Sequence, residues 1–137
     1  MKLTAKQKIQ IQKIGKKYKL KLILLYGSYV KEKQRIKSDL DIAILGKESI
    51  KGKSFSKIFS GMENVFGNNE ERELDLKILE KIDALFLYQV MKDGALLYGS
   101  SFDYWELKTY AIRNYWDNMP IFKLEEILVN KYFGKYA

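Results

Sequence analysis

One stretch limits the possible folds of this chain more than any other. Leu22 to Leu45 reads LILLYGSYVKEKQRIKSDLDIAIL. Two apolar runs rich in Leu and Ile flank a Gly27-Ser28 pair and a basic loop, and the second run carries Asp39 and Asp41. Apolar runs of this length, bounded by turn and charge signals, predict strands buried in a sheet. An unpaired buried charge is costly, so two acids on such a strand ask for a partner. A bound metal ion is the simplest one. The competing reading makes Gly-Ser an ordinary turn and leaves the acids capping a strand in solvent. That reading fits poorly with the apolar DIAIL that follows at once.

Composition narrows the chemistry. The chain has no cysteine and no histidine. Disulfides, thiol chemistry, the usual zinc sites and His-based triads are therefore excluded. Any metal must sit on oxygen ligands, which points to magnesium, manganese or calcium. Any general base must be a carboxylate, Lys or Tyr. A chain of 137 residues is expected to be a single domain over residues 1–137, with a core at about 20–100 and a helical tail at about 101–137.

No apolar run reaches the ~18 residues of a membrane span. The N-terminus is too charged for a secretory signal, and with one Thr and no Arg it is a poor transit peptide, so a cytoplasmic location is expected. Residues 1–37 hold 12 of the 25 Lys and Arg but one of the 17 acids, Glu32. Such asymmetry suggests a polyanionic partner, or else only a solvated lysine-rich helix. The basic segment runs straight into the Gly27-Ser28 turn, which favours phosphate.

Periodicity predicts the elements. Residues 4–19 read as a helix with Thr4 as N-cap, weakened by Gly15. Strands are expected at 21–26, 39–45 and 73–79, and ALLYG at 95–99 forms a short strand or extended piece. Ser54 is expected to cap a helix through Phe66, whose Phe55, Ile58, Phe59, Met62 and Phe66 form a core stripe. Residues 82–93 read as a helix ended by Gly94. Phe102 to Trp116 reads as an aromatic helix, interrupted at Pro120, with a second helix from Phe122 to Phe133. The expected class is α/β (α+β): a small mixed sheet with helices packed on one face and a helical tail.

Residues i and i+2 on a strand share a face, about 6.6–6.8 Å apart. Asp39 and Asp41 therefore project together, and Asp75 has the same logic on a later strand. If those strands are neighbours, three carboxylates converge and could hold a pair of divalent cations. Gly27 allows close backbone approach to a phosphate, and the amides and the Ser28 hydroxyl could donate to it. Gly27-Ser28, ten residues, then Asp39-Leu40-Asp41 is G-S-x10-D-x-D. This pattern resembles the signature of the polymerase-beta-type nucleotidyltransferases. The small size resembles the minimal members, among them the MntA-like antitoxins, and IDALFLYQVMKDGALLYGS is similar to the segment that follows their third carboxylate. The resemblance covers about residues 20–100.

The resemblance implies an ATP- and Mg²⁺-dependent enzyme that adenylylates a tyrosine of a HepT-like HEPN ribonuclease toxin and so silences it. It implies that Gly27 and Ser28 hold the triphosphate, that Asp39 and Asp41 ligate two metal ions, and that Asp75 ligates one and assists deprotonation of the acceptor. Lys31, Lys33, Arg35 and Lys37 are candidates for neutralising phosphate, although each alone reads as a solvent-facing loop residue. Alternatives are a transferase acting on a small, antibiotic-type molecule, and a non-catalytic antitoxin that acts by binding alone. No RNA-reading motif accompanies the basic helix, so nucleic acid is not expected as a partner, and neither is a membrane. Ten aromatics between Phe102 and Tyr136 fit either an intramolecular cap or an interface with another chain.

Overall fold

The computed structural model describes residues 2–30, 39–70 and 72–133. Lys31, Lys33, Arg35, Lys37 and Tyr136 lie outside the described residues, as do the side chains of Ser28, Tyr132 and Phe133. The order is α1 (Ala5–Lys17), β1 (Leu20–Tyr26), a 3₁₀ turn (Gly27–Tyr29), β2 (Leu40–Gly46) and α2 (Gly52–Phe66). Then come β3 (Leu74–Ile78), a 3₁₀ turn (Leu79–Lys81), α3 (Ala84–Asp93), β4 (Ala95–Tyr98) and α4 (Ser101–Phe133).

The four strands form one sheet in the order β3-β2-β1-β4. β2 and β3 are parallel, while β1 runs antiparallel to both β2 and β4. The sheet is mixed, as expected, but helices cover both of its faces rather than one. β1 and β2 are apolar on both sides, as strands buried on two faces must be. Ile23, Leu25, Leu40, Ile42 and Ile44 pack with Ile11 of α1 and with Ile58, Met62, Val65 and Phe66 of α2. Leu24, Tyr26 and Ala43 face the other way, onto Leu87, Val90 and Met91 of α3 and Ala111 of α4.

Local chemistry explains the element ends. Thr4 caps α1 through a reciprocal box: its hydroxyl accepts from the Gln7 amide at 3.1 Å, and the Gln7 side chain accepts from the Thr4 amide at 3.0 Å. Gly15 does not weaken this helix without purpose. A Cβ there would run into the Tyr98 ring, so glycine lets α1 lie close against β4. α2 starts two residues before Ser54, with Lys51 at the N-cap and no side-chain cap bond, so Ser54 is not its cap. The expected stripe of α2 does enter the core. α3 is capped by Asp83, which accepts from the Phe86 amide at 2.8 Å.

Pro120 does not split the tail, because α4 is one helix of 33 residues with Pro120 inside it. A mid-helix proline removes one amide donor. The carbonyl left without that donor belongs to Trp116, a residue exposed on the surface of the helix. Only the first part of α4 packs on the body. Tyr104 donates its hydroxyl to the Gly94 carbonyl at 2.7 Å, and Tyr104, Leu107 and Ala111 join the second core.

Candidate active site

The site lies where β1 ends and the parallel pair β2–β3 begins. Cross-strand register sets Tyr26 against Asp41, and Asp41 against Asp75. These three side chains form a row across three strands on the face that α3 and α4 cover only in part. Parallel pairing decides this, because it brings the starts of β2 and β3 together. Asp39 stands just before β2, exposed, two residues from Asp41.

Gly27 ties the turn to the acids. Its φ is +79°, a region that L side chains rarely adopt. A Cβ there would collide with the Asp41 carboxylate. The 3₁₀ turn can therefore pass directly over Asp41 only because residue 27 has no side chain.

The electrostatics follow from this crowding. Burial, then the charges of Asp75 and Asp39, then a hydrogen bond with Asp75 push the Asp41 carboxyl up to about 6, while Lys77 opposes them. Two carboxylates in such contact need a shared proton or a cation between them. Lys77 reaches Asp75 at 3.7 Å, two residues along the same face of β3. Burial, and then Asp41 and Asp75, raise the Tyr26 phenol well above its ordinary value. Tyr26 Oη is buried with no hydrogen-bond partner among the described residues.

Asp41 and Asp75 are thus brought together, and Asp39 adds its charge from the threshold. Among the described residues, no group of three or more acidic side chains gathers closely enough to hold a metal ion. The donor chemistry nevertheless suits a hard divalent cation, since every candidate ligand is a carboxylate oxygen.

Sequence reasoning missed two neighbours of the acids. Tyr26 was legible as the residue before Gly27, but its pairing with Asp41 needed the strand register. Lys77 was legible only as part of the polar face of β3. Arg72 also stands over the ring of Tyr29 in the turn, 5.8 Å from its centroid, and donates to the Phe66 carbonyl. Among the described residues, no helix is long and apolar enough to cross a membrane.

Comparison with known proteins places the fold and the family. A protein of Methanocaldococcus jannaschii, provisionally named a protein adenylyltransferase, is 27% identical over 97 residues, covering 71% of this chain and 70% of its own. A chain of a toxin–antitoxin crystal structure with AMP-PNP superposes with a TM-score of 0.68 at 23% identity, over 88% of this chain and 98% of that one. A chain from the complex of a tri-AMPylated Shewanella oneidensis HEPN toxin with an MNT antitoxin gives 0.63 at 21% identity, over 89% and 96%. These two likenesses establish a shared fold. The profile of the family described as "Polymerase beta, Nucleotidyltransferase" matches residues 9–103, well over half of the chain. The chain belongs to the polymerase-beta nucleotidyltransferase family.

Proposed function

We propose that this nucleotidyltransferase is an antitoxin-type protein adenylyltransferase, moving AMP from ATP to a tyrosine of a HepT-like HEPN toxin. The observation that carries the reading is the Asp41–Asp75 pair in register beneath the Gly27 turn. The turn that would seat the phosphates thus lies directly against the Asp41 carboxylate. The toxin–antitoxin folds that this chain resembles, one with AMP-PNP and one with an AMPylated toxin, support the choice of nucleotide and acceptor.

In this reading the backbone of Gly27 and Ser28 orients the triphosphate for in-line attack on its α-phosphorus. The acceptor oxygen forms the new P–O bond, the bond to the bridging α–β oxygen breaks, and pyrophosphate leaves. Asp39 and Asp41 would hold two Mg²⁺ ions, with Asp75 on one of them. Bound there, the metal would neutralise phosphate charge and acidify the attacking hydroxyl. A tyrosine hydroxyl has a reference pKa near 10, and in this reading the Asp75 carboxylate would receive its proton. Most of the rate gain in such a transfer comes from positioning and charge stabilisation.

The test is transfer of labelled AMP from ATP, with Mg²⁺, to a co-expressed HEPN protein. Wild type labels a tyrosine of the partner, and Asp41→Asn loses at least a hundredfold in rate. Equal labelling by Asp41→Asn would sink the proposal. The exposed position of Asp39 favours one rival, an antitoxin that acts by binding alone. Rescue of growth by the double variant Asp39→Ala, Asp41→Ala would select that rival.

A further inference from the structure

The apolar run LILLY of β1 ends in its one polar side chain, Tyr26. Tyr26 is 9% exposed, and its hydroxyl is buried with no hydrogen-bond partner among the described residues. Such a hydroxyl costs stability and calls for an explanation. We propose that Tyr26 is a positioning residue of the metal site, whose hydroxyl donates to the Asp41 carboxylate when that group ligates a divalent cation. The inference rests on the metal-dependent reading given above and adds one residue to it.

Strand register aims the hydroxyl. Tyr26 pairs with Asp41 across β1 and β2, and Asp41 pairs with Asp75 across β2 and β3, so the three side chains leave one face of the sheet. Neighbouring strands stand about 4.7–4.9 Å apart, which sets Asp41 beside the ring and Asp75 one strand further. Both charges act on the phenol, Asp41 more strongly than Asp75. On the helical side the ring meets Phe86 edge-to-face, with centroids 6.1 Å apart at 87°. Leu87, Val90 and Met91 pack in the same core, and none of these four side chains carries oxygen or nitrogen. They fix the ring and leave the acid row to supply the acceptor.

The acceptor is engaged elsewhere in this structure. Asp41 is hydrogen-bonded to Asp75 and lies directly beneath Gly27. Two carboxylates that both ligate a cation would give up the bond between them. An ionised carboxylate has about four acceptor sites, so ligation leaves Asp41 able to accept from Tyr26. Carboxylates that ligate metals are ordinarily hydrogen-bonded in turn, and those donors hold their orientation. Lys77 already reaches Asp75 at 3.7 Å. Tyr26 would do for Asp41, from β1, what Lys77 does for Asp75 along β3.

Tyr26→Phe tests the proposal, since it removes the hydroxyl and keeps the ring that α3 packs against. The full chain, as wild type, Tyr26→Phe and Asp41→Asn, is titrated with Mn²⁺ alone, and free Mn²⁺ is read by electron paramagnetic resonance. Thermal melts in EDTA accompany the titrations. Tyr26→Phe should bind Mn²⁺ about ten- to a hundredfold more weakly than wild type. Its Tm in EDTA should equal or exceed that of wild type, because the variant buries no unsatisfied hydroxyl. Asp41→Asn should lose Mn²⁺ binding. A Tyr26→Phe variant that binds Mn²⁺ as wild type does, or that melts below wild type in EDTA, overturns the role given to Tyr26 and leaves the metal reading intact. A wild type that binds no Mn²⁺, or an Asp41→Asn variant that binds it equally well, overturns both.

Discussion

Among the described residues, Asp41 is the carboxylate whose environment departs furthest from the ordinary one. Burial and its acidic neighbours hold its carboxyl at about 6 in the folded protein. An unfolded Asp titrates near 3.9. Between about pH 4 and pH 6 the folded chain therefore keeps a proton that the unfolded chain has released, and stability falls as pH rises through that window. Asp41→Asn removes the penalty. In EDTA at pH 7.5 the variant should be more stable than wild type by about 1–2 kcal/mol, a figure discounted for the partial exposure of the site. At pH 4 the difference should vanish. Thermal melts at the two pH values check both statements. Adding Mg²⁺ at pH 7.5 should raise the wild-type Tm and leave that of Asp41→Asn where it was, because the variant lacks the charge a cation would neutralise. A wild type that outlasts the variant in EDTA at pH 7.5 would mean that Asp41 is not crowded as described.

At the scale of elements, the strands and the acids were legible because each depends on short-range pattern. Gly27-Ser28 and Asp39-x-Asp41 mark the ends of β1 and the start of β2, and the alternation Leu74, Asp75, Leu76 marks β3. Which strands touch is a long-range property. The pairing of Tyr26 with Asp41, and the parallel pairing that sets Asp75 beside it, depend on the β3-β2-β1-β4 order, which no local pattern encodes. The two-sided burial of β1 was readable in principle, since LILLY shows no polar alternation, but that pattern does not say which helices supply the second cover.

Pro120 was misread for a related reason. Proline disfavours a helix interior by about 3 kcal/mol, but a long, exposed helix can absorb one missing hydrogen bond when the rest of its ladder is intact. Pro120→Ala should therefore raise helicity, seen as a deeper far-UV circular dichroism signal at 222 nm. The Tm of the body should barely change, because no residue after Ala111 is buried in either core among the described residues. A large rise in Tm would show that distal α4 is coupled to the cores.

On the scale of the whole molecule, α4 begins packed on the body and ends as an exposed arm. Tyr104, Leu107 and Ala111 anchor the helix, and Tyr115 stacks on Tyr88 with ring centroids 3.9 Å apart. Beyond them Trp116, Ile121, Leu124, Ile127 and Val129 are each more than half exposed. Part of the aromatic tail is an intramolecular cap, with Tyr104 packed against the second core, while Phe102, Trp105 and Trp116 face outward. Apolar side chains in such number on one exposed helix are a feature of interaction surfaces. Under the function proposed above, the occupant is the toxin that presents the acceptor tyrosine. Ending the chain after Trp116 should then leave the Tm within a few degrees of wild type and keep ATP and tripolyphosphate binding. Co-purification of the HEPN partner should be lost, and with it AMP transfer to that partner. Size-exclusion chromatography of the full chain alone separates the other occupant: if a dimer forms and the truncation abolishes it, the arm serves a second copy of this chain. If the truncated protein still captures and labels the partner, the acceptor docks on the body instead, and the nearest surface open to it is the rim of the Asp41–Asp75 site.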